Sequence, residues 1–374
     1  MLKVMNIISD TNIGGAGRVL LNYVKYCNRY EFDICAVLPK GSELTPRLKT
    51  FDIKVIEANI EGDRSFDKKA IPVLSALIKQ ENPDLVHTHG SLSARIAAKR
   101  CGKKIIYTRH CAFPVKNYMK KGPLHWANRW LNLHYADRVI AVGNAAKDSL
   151  VESGIPEKYI DVMMNGSEQL PKATPEQRSL YRCDLGIAED EFVMGMLARI
   201  EVYKGYDDVF DALKLLLAEG LKVKFVIAGS GQYEAELKKR AFDEGLQDVV
   251  IFTGFIENVA EILSVMDVQI NASFESETSS LSIIEGFSIG LPAVVSDCGG
   301  NVLLVDDSMN GYIFPMRDSV KLASCIKILA EDRELLLQMG DSALKIYNER
   351  FTGQSFAAHV EEVYIKVMGG KTNG

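Results

Sequence analysis

The feature that most restricts the fold of this chain is an alternation of strands and helices that runs for seven strands, stops at a polar stretch, and starts again. Short apolar runs recur at 4–8, 32–38, 54–57, 85–88, 105–108, 138–142 and 161–164. Helical stretches lie between them, including 17–27, 71–80 and 145–153. Runs of this length alternating with helices predict a doubly wound parallel sheet. Asn165-Gly166 is a turn signal, and the SEQLPKATPEQ that follows is polar with two prolines. The alternation then resumes at 192–197, 223–228, 249–252, 268–270, 293–296 and 312–314. A chain of 374 residues is also too long for one ordinary core. Expected domains are therefore 1–168 and 178–350. A closing helix over 351–374 has Phe356, Val360, Val363, Tyr364 and Val367 on one face, and ligands are expected at the carboxyl ends of the strands.

Residues 268–300 concentrate the chemistry. After the buried strand comes a polar turn, Ser279 or Ser280 is placed to cap a helix, and Leu281, Ile284, Phe287 and Ile289 give that helix an apolar face. Gly290 and Pro292 stop it. Glu277 stands before the helix and Glu285 inside it, with seven residues between them. A helix start fed by a strand presents free N–H groups and a positive dipole end, which suits a phosphate. The carboxylates would repel that phosphate, so they suit hydroxyls on either side of it. A nucleotide sugar has this pattern: ribose diol, diphosphate, sugar hydroxyls. The structural alternative has Glu285 and Ser282 forming a capping box and Glu277 as a solvated loop acid.

Three more loops follow strands. Asn12-Ile13-Gly14-Gly15-Ala16-Gly17-Arg18 either lets backbone approach a diphosphate or makes a tight turn, with Leu20 where a dinucleotide fingerprint needs its third glycine. In 197–205, Arg199 and Lys204 place a forked donor and a point charge where one diphosphate would leave, or else are surface cations. No Asp-x-Asp occurs, so cations and helix ends would replace a metal. Val226 to Gly231 resembles a nucleotide loop, but Glu234 occupies the third glycine position, which argues against NAD. His87, His89 and His110 end two successive strands, and alternation points His87 and His89 to the same side.

Glu277, Glu285, Gly290, Pro292, Val294 and Val295 together resemble the signature of the retaining nucleotide-sugar glycosyltransferases of family 4. Thr278 departs from it where Gly is usual, and Leu303 where an acid is frequent. The resemblance implies the α/β GT-B fold, two Rossmann-like doubly wound domains facing across a cleft. The first domain would bind the acceptor, the second the nucleotide sugar, and the last helix would cross back to the first. It implies a transferase that moves a sugar, expected from a UDP-sugar, to a hydroxyl of a glycan or lipid-linked acceptor, without metal or cofactor. Polysaccharide, lipopolysaccharide or other cell-envelope glycan synthesis would be the setting.

By the same resemblance Glu277, His110, Arg199 and Lys204 are catalytic: Glu277 and His110 hold the transferred sugar, Arg199 and Lys204 the departing diphosphate. Gly14, Gly15, Gly229, Gly231, Ile256, Ser280, Leu281, Ser282 and Glu285 bind the donor, with Glu285 on the ribose. His89 and Arg109 are acceptor-side candidates. Two other readings remain open: a nucleotide-sugar epimerase on the same fold, and a degenerate binding subunit without turnover.

Composition fits a globular enzyme, 47% hydrophobic and 25% charged, with no apolar run long enough to span a bilayer and no signal-peptide pattern. Seven scattered cysteines without Cys-x-x-Cys read as reduced core residues, not a disulfide framework or zinc site. A cytoplasmic protein is expected, peripheral on the inner membrane face in one reading, and no nucleic-acid partner. That reading comes from charge: between Asp84 and Asp137 there are ten cations and no acid, although the net charge is −5. The basic stretch 95–130 offers a face to an anionic membrane surface. Within KNYMKKGPLHWANRWLNLH, Tyr118, Trp126, Trp130 and Leu131 interleave with the cations; the tryptophans either dock on that surface or are buried against the domain core.

Overall fold

The structure is a computed structural model describing residues 1–112 and 115–370, the side chains of residues 118 and 119 excepted. The Tyr118 side chain and the end of the expected closing helix from residue 371 on thus fall outside the described residues. Contacts divide the chain into two compact units, Met1–Ser167 with Gly353–Gly374, and Glu168–Thr352.

In the first unit β1 (Leu2–Ile8), β2 (Phe32–Pro39), β3 (Lys54–Ala58), β4 (Leu85–His89), β5 (Lys104–Arg109), β6 (Arg138–Val142) and β7 (Ile160–Met163) form one sheet in the order β3-β2-β1-β4-β5-β6-β7. Every neighbouring pair is parallel. Burial on both faces explains why the strands read as continuous apolar runs. Met5, Ile7, Val37 and Val86 pack under the helices Ala70–Glu81 and Leu92–Arg100.

The second unit has β8 (Phe192–Leu197), β9 (Val223–Ala228), β10 (Val250–Gly254), β11 (Val268–Asn271), β12 (Ala293–Ser296) and β13 (Gly311–Phe314), ordered β10-β9-β8-β11-β12-β13. Its neighbouring pairs are parallel too. The strand order reverses beside β1 in the first sheet and beside β8 in the second. The β1/β4 and β8/β11 edges are therefore the switch points, where loops splay apart and leave room for a ligand.

The last helix, Gly353–Val367, belongs to the first unit and packs on Gly15–Tyr26. Tyr364 meets Tyr23 edge-on at 5.7 Å between ring centroids, and a Cβ on Gly353 would come within 2.3 Å of Tyr26. The expected apolar face is inside, Phe356, Val360, Val363 and Tyr364 fully and Val367 in part.

Two sequence expectations need correction. The polar stretch ends sooner than its composition suggests, because Pro175–Asp184 is a helix. Thr174 accepts from Gln177 N–H at 3.3 Å, Gln177 reaches back at 2.9 Å, and Pro175 needs no amide partner at the first helical position. Cys183 is exposed, so the cysteines are not all core residues, although every one is free. Of the two placements left open for the tryptophans, the structure shows them exposed, Trp126 at 66% and Trp130 at 59%.

Candidate active site

The second unit gathers the charged residues singled out above at the carboxyl ends of β8 and β11. Arg199 and Lys204 occupy the loop after β8, and Glu277 the loop after β11. Phe274 N–H donates to Tyr203 O at 3.0 Å, which ties the two loops together. Glu277 is no solvated loop acid: it is 7% exposed. Lys204 Nζ donates to its Oε2 at 2.8 Å, and Asn271 Nδ2 and Ser273 Oγ donate to the same oxygen at 3.0 Å each. Burial alone would raise the pKa of this carboxyl, but the Lys204 charge and these hydrogen bonds outweigh it and hold the group below the ordinary carboxylate range. Glu277 is therefore an anion at neutral pH, buried yet compensated.

Backbone strain helps to aim it. Ser276 has φ of +62°, a left-handed conformation that L-residues avoid, and it immediately precedes Glu277. Gly300 N–H donates to Glu277 O at 3.1 Å, so the main chain is held from the other side as well. Ser296 Oγ donates to Ser273 O at 2.5 Å and Asn301 Nδ2 to Ser296 Oγ at 3.2 Å, a buried relay behind the loop.

Arg199 is exposed and donates Nη2 to Tyr203 OH at 2.8 Å. The fork is held at one edge and remains reachable. The structure thus separates the two cations that the sequence treated as one clamp: Lys204 is engaged with Glu277, Arg199 faces outward. Glu285 is buried on the short helix Leu281–Phe287, and Ser280 sits at its N-cap position. Contrary to expectation the Ser280 side chain makes no capping bond; its Oγ lies 3.1 Å from Ser282 Oγ. Leu281 opens the helix, and Ser282 O accepts from Gln269 Nε2 at 3.0 Å.

The glycines differ in what they reveal. A Cβ on Gly229 would lie 2.0 Å from Ala198 O and one on Gly231 2.1 Å from Ile200 O, so close packing of the β9 and β8 loops already demands them. A Cβ on Gly15 would meet nothing within 4 Å, whereas one on Gly14 would touch Asn12 Oδ1 at 3.1 Å. Packing does not explain Gly15. Ile256, after β10, is half-buried against the cluster formed by Val226, Val259 and Leu263.

In the first unit buried His87 and His89 and half-buried His110 form one group at the ends of β4 and β5. The His87 and His89 rings lie on one side of β4, centroids 4.5 Å apart. His89 Nδ1 is 3.0 Å from His110 Nε2, and His89 Nε2 is 3.3 Å from Asn6 Oδ1. An amide oxygen there makes His89 Nε2 the protonated nitrogen, so His89 Nδ1 accepts and His110 Nε2–H donates. Burial pushes the His110 pKa down to about 4 and that of His87 to about 3, and holds His89 well below its ordinary value. All three are neutral at pH 7. His87 also bonds Tyr364 OH at 2.7 Å and Thr108 Oγ1 at 2.6 Å, a structural role. Arg109 donates to Cys111 O at 3.0 Å and stands 3.4 Å from Tyr107 OH.

Sequence reasoning missed Asn271, Ser273 and Tyr203. The signal was there for two of them: a polar residue ending a buried strand, and an aromatic hydroxyl four residues after Arg199. Among the described residues no group of three or more His, Cys, Asp or Glu is arranged to hold a metal ion, and no helix is long and apolar enough to cross a membrane.

Comparison with known proteins places this geometry. Residues 177–346 match the family model described as Glycosyl transferases group 1, and residues 13–168 match Glycosyltransferase Family 4. A UDP-Gal:alpha-D-GlcNAc-diphosphoundecaprenol alpha-1,3-galactosyltransferase of Escherichia coli is 26% identical over 387 residues, covering 99% of this chain and 98% of that protein. The putative glycosyltransferase EpsD of Bacillus subtilis is 28% identical over 321 residues, 81% of this chain and 82% of the relative. The crystal structure of Anabaena HepE in complex with UDP superposes with a TM-score of 0.84 at 22% identity, covering 98% of this chain and 100% of the other, and HepE was also solved with UDP-glucose.

Proposed function

The chain belongs to the family 4 glycosyltransferases of GT-B fold, and from that premise we propose that it moves a sugar from a UDP-sugar, with retention at the anomeric carbon, to a hydroxyl of a lipid-linked glycan. The observation that carries the reading is the β8/β11 switch point, where buried Glu277 is paired with Lys204 and Arg199 stands exposed five residues upstream. UDP is chosen because HepE binds it and because the Escherichia coli relative is named for a UDP-galactose donor. That relative's acceptor is carried on diphosphoundecaprenol, which supports a lipid-linked acceptor here.

In this proposal the second unit binds the donor and the first the acceptor. The bond from anomeric carbon to diphosphate breaks while a bond to the acceptor oxygen forms on the same face, and the acceptor hydroxyl passes its proton to the departing diphosphate oxygen. Charge grows on the departing UDP, where Arg199 and the amides at Ser280, Leu281 and Ser282 answer it. Glu277 accepts from hydroxyls of the transferred sugar, Lys204 keeps it ionised beside the diphosphate, and Glu285 takes the ribose diol. Neutral His110 hydrogen-bonds the sugar. Fixed cations do the work that a metal ion would otherwise do. Open space over Gly15 would admit a diphosphate close to the backbone.

A thermal-shift panel of UDP-, GDP- and ADP-sugars tests the donor site. A ligand at one hundred times its dissociation constant adds about 2.7 kcal/mol to the folded state. A UDP-sugar should raise the Tm of the natural chain, and Glu285→Ala and Arg199→Ala should abolish the rise. A shift by another nucleotide class reassigns the donor, and no shift at millimolar ligand sinks the reading. Anomeric analysis of the product, with a donor-only control for epimerisation, decides retention and transfer.

A further inference from the structure

The helix Pro123–His134 is amphipathic the wrong way round. Its inward side is mostly polar, with Leu133 alone packed against the Tyr107 and Val139 core: Asn132 Oδ1 accepts from Arg95 Nη1 at 3.0 Å, Asn128 Nδ2 donates to Ser153 O at 2.8 Å, and Arg129 Nη1 donates to Gly154 O at 3.3 Å. Positions 125, 128, 129 and 132 fall on one helical face by their three- and four-residue spacing. The other side holds Trp126 and Trp130, four apart and 66% and 59% exposed, with Leu124 at the helix start 57% exposed. None of the twelve residues is buried. A surface helix in water normally turns its apolar stripe to the core and its polar side out. This one uses its polar side to hold on to the domain and leaves two indoles outside. Trp130 stacks on His134 at 4.7 Å between centroids, and Arg129 lies 6.0 Å from the Trp126 ring, so both indoles are held outward by their neighbours.

The charge around the helix says what covers it. Ten cations and no acidic residue lie between Asp84 and Asp137 in the sequence; of these Arg95 is buried behind the helix and Lys104 is paired with Asp137, so the surface charge comes from the others. Lys116 and Lys121, just before the helix, are exposed. Lys120 is paired with Glu152 at 2.9 Å and contributes less. A partner that takes indole rings and is at the same time negatively charged at its rim is a lipid bilayer with anionic head groups, where tryptophan settles at head-group depth and lysine meets the surface potential.

We propose that the outer face of Pro123–His134, with Trp126 and Trp130 as inserting residues and Lys116 and Lys121 as its electrostatic rim, docks this protein on an anionic membrane surface. The docking residues are none of those proposed to hold the donor. A membrane-held enzyme would meet a lipid-linked acceptor at the depth where its head group lies.

The chain has only these two tryptophans, so its indole fluorescence reports this face alone. Titration with vesicles of phosphatidylcholine containing phosphatidylglycerol should move the emission to the blue, and flotation should recover the protein with the vesicles. The double variant Trp126→Ser, Trp130→Ser should lose about tenfold or more in vesicle partition. Replacing Lys116 or Lys121 by Gln should cost about fivefold each. The Tm of each variant and its UDP-induced shift should stay at the natural value, which separates loss of docking from loss of fold or of the donor site. Emission unchanged by anionic vesicles overturns the proposal. So does equal partition onto vesicles of phosphatidylcholine alone, and so does an emission already blue without lipid, which would mean the face is covered by the chain itself or, if it deepens with protein concentration, by a second copy.

Discussion

The two ends of β11 each carry a buried carboxylate paired with cations, and they are built for opposite purposes. At the amino end Asp267 is 7% exposed and is met by Arg178 at 2.8 Å, Arg182 at 2.7 Å and Arg333 at 3.2 Å, with Val193 N–H at 2.8 Å. The donors are divided between both oxygens, and the group staples the helix Pro175–Asp184 to the sheet. At the carboxyl end Glu277 has one lysine, and Lys204, Asn271 and Ser273 converge on one oxygen. The first arrangement spends every contact on the fold. The second is a preset anion on a strained loop at a switch point, which is how a sheet of this type presents chemistry without loosening its core.

Breaking the first pair should give the largest effect. Asp267→Ala strands Arg182, whose side chain is 3% exposed, and should cost about 3–5 kcal/mol of stability, read from denaturant unfolding. If the loss were under about 1 kcal/mol, the staple would be ornamental.

The Glu277→Gln variant keeps the shape and removes the charge. It should lower kcat/KM about a hundredfold, some 2.7 kcal/mol of transition-state stabilisation, while its Tm moves far less than that of the Asp267 variant. Equal stability losses at the two ends would erase the distinction.

Acid should separate the units as well. Asp267 and Glu277 both titrate below their ordinary values, so the stability they supply is complete above the normal carboxylate range and is lost only as pH falls through the lower folded values. His87 and His110 behave differently. Their folded pKa values, about 3 and about 4, lie below the ordinary 6.5, so below pH 6.5 the unfolded chain takes up protons that the folded one refuses. Each histidine then costs about 1.4 kcal/mol per pH unit as pH falls from 6.5 toward 4. Hydrogen exchange between pH 7 and 4.5 should show the first unit losing protection before the second. Simultaneous loss would mean that these histidines are not the weak point.

Much of this molecule was determined by the sequence alone. The strands appear within a residue or two of the apolar runs, because a strand buried on both faces must be apolar throughout and only turns interrupt it. Glu277, Glu285, Arg199 and Lys204 stood out because they follow strands, where a charged ligand would lie, and because they match the family's pattern. The tertiary structure decided what those residues touch. That Lys204 engages Glu277 and leaves Arg199 exposed depends on two loops brought together by strand order, 73 residues apart in the chain. That Gly229 and Gly231 answer to a neighbouring carbonyl, while Gly15 answers to nothing, depends on the same packing. The outward turn of Trp126 and Trp130 is the clearest case. Helical periodicity puts them on one face, but which face meets the core was settled by Arg95, Ser153 and Gly154, hydrogen-bond partners that lie outside the helix and leave no trace in its periodicity.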